Sequence, residues 1–152
     1  RDIFYEAIWN YPQGWEDFFH TELSQLITKA ENGNKDAIDS LSAMIYLTYL
    51  EDMNTEFYTK SVDFLTQKLR SKIPEVRENC AQAITDIHAE YEVELSYKQI
   101  SELQKLLKDS AFKVRVNAYA NLKDANLVPK KFSISLIDKI RARLFGYSSL
   151  LK

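Results

Sequence analysis

One stretch of this chain is written twice. Residues 74–87 read PEVRENCAQAITDI, and residues 112–125 read FKVRVNAYANLKDA. Displaced by 38 positions, Leu65 falls on Leu103, Leu69 on Leu107, Val76 on Val114, Arg77 on Arg115, Cys80 on Ala118 and Ile84 on Leu122, with no gap. One frame thus aligns two apolar-faced segments and the link between them. A unit of this kind cannot bury its own apolar face and must stack on its neighbours, so the period points to an α-solenoid. The frame also extends backwards, with Ile27 under Leu65 and Ile38 under Val76. Forwards, a spacing of 37 sets Ile137 on Ile100, Ile140 on Leu103 and Leu144 on Leu107.

Local signals agree with helices. Three glycines and three prolines are too few to punctuate many short strands, and apolar residues recur three and four apart. The expected helices cover about 2–9, 14–31 and 35–51, a fourth from Asn54 or Thr55, and a fifth with Pro74 in its first turn, where a missing N–H costs nothing. Ser96 and Gln99 make a capping box for the sixth; Asp109 or Ser110 caps the seventh; Pro129 and Ser133 precede the eighth. The expected fold class is all-α, an α-solenoid (α-α superhelix) of about eight helices in antiparallel pairs. At 152 residues the chain is expected to form one domain. Within it, 1–22 is an aromatic N-terminal cap, 23–60, 61–98 and 99–136 are repeats, and 137–152 is a partial repeat or cap.

The pattern V-R-x-x-C/A-x-x-x-I/L after a leucine-rich helix, in PEVRENCAQAI and FKVRVNAYANL, resembles the HEAT and HEAT-like (PBS-lyase-type) helical repeats, an armadillo-like fold. LLKDSAFKVR carries the resemblance furthest, including Asp109 in the turn between paired helices. The resemblance covers about residues 23–147, with Asp39 where the first unit would carry the arginine and Ser71 where the second would carry the aspartate. It implies that Arg77, Asp109 and Arg115 are structural repeat positions, with Asp109 meeting Arg77, Arg115 or both. It also implies a binding scaffold rather than an enzyme.

The chemistry-bearing residues point the same way. His20, His88 and Cys80 are too scattered for a metal or catalytic constellation, and no Gly-rich phosphate loop, H-E-x-x-H or G-x-S-x-G occurs. No catalytic residue, metal or cofactor is assigned. One cysteine rules out an internal disulfide. The longest apolar run, residues 43–50, falls far short of the roughly 20 residues of a membrane span. A soluble, cytoplasmic protein is expected, with no membrane partner. The start at Arg1 rather than methionine suggests a trimmed chain.

Charge carries the functional expectation. Residues 1–95 hold 8 Lys/Arg against 18 Asp/Glu, and residues 96–152 hold 12 against 4, giving an acidic end and a basic end. Three readings compete for the basic end: solvated helix faces, an acidic protein partner, and nucleic acid behind them. The expected function is a non-catalytic protein-protein interaction module, a scaffold segment or an inhibitor of the immunity type, using its charged faces. The alternative is a nucleic-acid-binding domain using the basic half. Candidate contacts are Glu102, Lys105, Lys108, Lys139 and Arg143. Trp9 and Trp15 join them as an aromatic patch, if they are not simply part of the cap.

Overall fold

The computed structural model describes residues 15–34, 36, 37, 40, 41, 45 and 55–151, with side chains from His20 onward. All regular structure among them is helical. Six α-helices run α1 (Trp15–Glu31), α2 (Thr55–Lys68), α3 (Pro74–Glu90), α4 (Tyr97–Lys105), α5 (Phe112–Asp124) and α6 (Leu136–Leu144). Two 3₁₀ turns, Leu106–Lys108 and Ser148–Leu151, extend α4 and close the chain. The described residues thus carry six α-helices where about eight were expected. The helix expected over 2–9 lies outside them, and of the one expected over 35–51 only scattered positions are described. Ala37, Leu41 and Ile45 among these are helical and buried.

Local chemistry sets the ends. Ser96 Oγ accepts from the Gln99 N–H while Gln99 Oε1 accepts from the Ser96 N–H, so α4 opens on a reciprocal capping box. α6 starts at Ser135, whose hydroxyl accepts from the Asp138 N–H at 3.1 Å. The start of α5 differs from expectation: its N-cap is Ala111, with no side-chain cap. Asp109 instead accepts the Ala111 N–H from the preceding turn at 2.8 Å, leaving its second oxygen free for another partner. α5 ends on Asn126 at φ 58°, the left-handed position, where Leu127 N–H closes back on the Leu122 carbonyl at 2.7 Å.

The helices pack as pairs on pairs. α3 lies against α2 and α5, α2 against α1 and α4, and α4 with its 3₁₀ extension against α5. α2 and α4, which the 38-residue frame superimposes, thus touch each other, as do α3 and α5. Both members of five apolar pairs aligned by the 38-residue frame are buried: Leu65 and Leu103, Leu69 and Leu107, Val76 and Val114, Cys80 and Ala118, Ile84 and Leu122. Each such aliphatic side chain removed from water contributes roughly 1.5–3 kcal/mol. Cys80 and Ala118 keep the α3–α5 seam narrow.

The last helix departs from the frame. α6 contacts α5 and the closing 3₁₀ turn, where a first helix of a further unit would stack on α4. Ile137, Ile140 and Leu144, aligned by sequence with Ile100, Leu103 and Leu107, are exposed. Two anchors divert α6: an ion pair from α5 to its first turn, and aromatic contacts of Phe112 with Phe145 and Tyr147 after its last.

Candidate functional site

The turns between helices carry a row of charged side chains, and the repeat dictates where they fall. Arg77 sits in the first turn of α3 and Arg115 in the first turn of α5, each with its stem among apolar neighbours and its guanidinium at the preceding turn. Arg77 Nε and Nη2 donate to the two Asp109 oxygens at 2.8 and 2.7 Å, and Nη1 to the Ser71 carbonyl at 2.7 Å. Arg115 repeats the pattern. Its Nε and Nη2 donate to Asp138 at 2.9 and 2.6 Å, and its Nη1 to the carbonyls of Asp109 at 2.7 Å and Ser110 at 3.1 Å. The planar fork of arginine suits this bidentate task; a lysine could not make it.

Ser71 stands where the next unit has Asp109, and the row continues through it. Its hydroxyl caps the Ile73 N–H, as Asp109 caps Ala111, and donates back to the Glu31 carboxylate at the end of α1. Links thus run from Glu31 through Ser71, Arg77, Asp109 and Arg115 to Asp138, tying α1, α3, α5 and α6 along one edge.

Two further bridges flank the row. Arg70, just past α2, and Lys105 both grip Glu102 of α4, each at 2.7 Å. Glu78 of α3 receives Lys113 at 3.3 Å and the Asn117 amide at 2.6 Å, both from α5. Every buried side-chain nitrogen and oxygen among the described residues has a partner.

The surroundings shift the carboxyls in opposite directions. Hydrogen bonds from Arg70 and Lys105 hold Glu102 down at about 2. Asp138 is lowered chiefly by its bonds from Arg115. Burial alone would raise Asp109, but the Arg77 guanidinium, the Ala111 N–H and the nearby Arg115 charge outweigh it and leave it below its ordinary value. Glu78 and Asp86 go up, mainly through burial. Burial also pushes the Cys80 thiol up to about 12, so it is no nucleophile.

The residues singled out from the sequence separate into three groups. Arg77, Asp109 and Arg115 lie in the row. Glu102 is only 8% exposed, capped by its two cations, and Lys105 is one of those cations. Lys108, Lys139 and Arg143 are exposed and form no ion pair among the described residues. Trp9 lies outside the described residues, as does the Trp15 side chain.

Sequence reasoning missed Arg70, Glu78 and Asp138. A signal for the first was present: Arg70 to Glu102 spans 32 residues, as Arg77 to Asp109 does, seven positions earlier. Among the described residues no group of His, Cys, Asp or Glu could hold a metal ion, and no helix is long and apolar enough to cross a membrane.

Against protein-family models, residues 42–146, more than two thirds of the chain, match the family described as Cnd1, non-SMC mitotic condensation complex subunit 1. No curated protein and no solved structure matches the chain significantly.

Proposed function

The chain belongs to the non-SMC mitotic condensation complex subunit 1 family, and on that premise we propose that it is a non-catalytic scaffold segment of such a complex, built of HEAT-like units stacked as a short solenoid. The observation that carries this reading is the charged row along the helix turns. It spends its arginines and carboxylates on one another, fixing neighbouring units in register, so that within the row these side chains are committed to structure. Rigid placement of exposed side chains is what a scaffold requires. The units are read as 23–60, 61–98 and 99–136, with 137–152 as a cap turned away from the stack.

The contact residues of this proposal are Lys108, Lys139 and Arg143, whose charges are not neutralised within the described residues. Glu102 and Lys105 serve instead to fasten α4 to the end of α2. The family name speaks of mitotic condensation, so the proposed place of action is the chromosome rather than the cytoplasm expected from the sequence.

Recovery of the other condensation-complex subunits with a tagged chain tests the reading. The triple change Lys108→Glu, Lys139→Glu and Arg143→Glu should lower that recovery at least tenfold, more at low salt than at high. Undiminished recovery overturns the charged-face assignment. The basic half also sustains the nucleic-acid alternative, and a mobility-shift titration separates the two: salt-sensitive retention of duplex DNA, abolished by the same triple change, would favour it.

A further inference from the structure

α6 turns its apolar side the wrong way for a core helix. Leu136, Ile137, Ile140 and Leu144 are 72, 63, 49 and 75% exposed. At 3.6 residues per turn these four fall within about 100° of the helix circumference, the width of a stripe that ordinarily faces a core. The buried side is another one. Asp138 and Ala142, one turn apart, face α5, the first held by Arg115 and the second fully enclosed. α6 is thus fastened by a polar and small-residue edge, which leaves a preformed apolar stripe about 13 Å long in solvent.

Cations border the stripe on both sides. Lys139 and Arg143, one turn apart, run along one edge and Arg141 stands on the other; all three are exposed and none forms a salt bridge among the described residues. At matching register, Leu103 of α4 and Leu107 of its 3₁₀ extension are buried, and both elements pack against α5.

We propose that the α6 stripe docks an amphipathic helix of a partner protein, one whose own apolar stripe is flanked by carboxylates. The inference deepens the scaffold reading and rests on it. Burial of Leu136, Ile137, Ile140 and Leu144 drives the contact, and the bordering cations select an acidic partner and set its register. A second copy of this chain docking stripe to stripe would bring three cations of each protomer together, a like-charge arrangement that opposes it.

The test uses the full chain and a labelled 16-residue helical peptide, with leucine at every third and fourth position and glutamate along both flanks. Its matched control carries lysine for glutamate. Anisotropy titrations should show saturable 1:1 binding of the glutamate peptide, at least tenfold tighter than the lysine peptide. Ile140→Asp with Leu144→Asp should weaken it at least tenfold with unchanged helix content, since both side chains are exposed. Lys139→Glu with Arg143→Glu should reverse the preference between the peptides.

Equal affinity for the two peptides overturns the inference, as does binding indifferent to the aspartate pair. It is equally overturned if that pair abolishes binding to phosphatidylserine vesicles or dissolves a dimer seen in sedimentation. Recovery of the other complex subunits at the wild-type level by the aspartate pair would overturn it and leave the scaffold reading standing.

Discussion

Arg77 and Asp109 lie 32 residues apart and meet through two parallel hydrogen bonds of 2.8 and 2.7 Å, fork to carboxylate, while the third guanidinium nitrogen holds the Ser71 carbonyl. Both side chains are nearly buried, at 11 and 8% exposure, so neither charge can fall back on water if its partner is removed. Stability should therefore depend on the pair more than on an ordinary surface bridge.

Arg77→Ala is expected to cost about 3–5 kcal/mol, because it strands a buried carboxylate and a carbonyl. Asp109→Ala should cost a similar amount. The two together should cost less than their sum by about 1–3 kcal/mol in urea unfolding, and strict additivity would show that the pair does not act as a unit.

Acid should loosen the row. Asp109, Asp138 and Glu102 have folded pKa values below their ordinary 3.8, 3.8 and 4.5, with Glu102 at about 2. A depressed carboxyl gives stability that is complete above the unfolded pKa and lost as pH falls through the folded one. Glu78 and Asp86, raised by burial, have the opposite sign, and their protonation steadies the fold. Urea midpoints should rise slightly as pH falls from neutrality towards the carboxylate range, then drop below about 4.5 and continue falling to about 2. Glu102→Gln should remove the lowest part of that drop.

The thiol of Cys80 reports on the α3–α5 seam. Buried and pushed up to about 12, it should react with a thiol-disulfide reagent ~100-fold more slowly in the native chain than in urea. Cys80→Ala copies the residue at Ala118 and should be well tolerated. Cys80→Leu should cost about 1–3 kcal/mol by forcing the helices apart.

At the start of α4, Ser96→Ala should cost about 1 kcal/mol. Gln99→Ala should cost less, since it leaves the serine hydroxyl on the Gln99-position N–H. Amide exchange in the first turn of α4 is the direct readout; protection unaltered by Ser96→Ala would remove the capping box from the account.

One alignment made the core positions and the all-helical class legible, because equivalent positions recur where repeated helices bury equivalent faces. The apolar positions it paired, from Leu65 and Leu103 to Ile84 and Leu122, are indeed enclosed. The repeat could say little about what lies beyond it. Asp138 reaches Arg115 because residues 125–135 carry α6 across α5, a path with no periodic signature. Ile140 and Leu144 read as core from their spacing, yet spacing specifies a face and not the neighbour that covers it. Glu102 looked like a surface carboxylate for the same reason: its cover, Arg70, arrives from 32 residues upstream.

The row from Glu31 to Asp138 also governs how the molecule comes apart. Melting the α4–α5 hairpin alone would strip Arg77 of its acceptor on one side and orphan Asp138 on the other, so each unit's opening penalises both neighbours. Repeat chains with weak junctions fray one unit at a time, whereas strong nearest-neighbour coupling merges them into one cooperative transition. Residues 71–138 are therefore expected to open together, a short beam that breaks all at once rather than a string of beads.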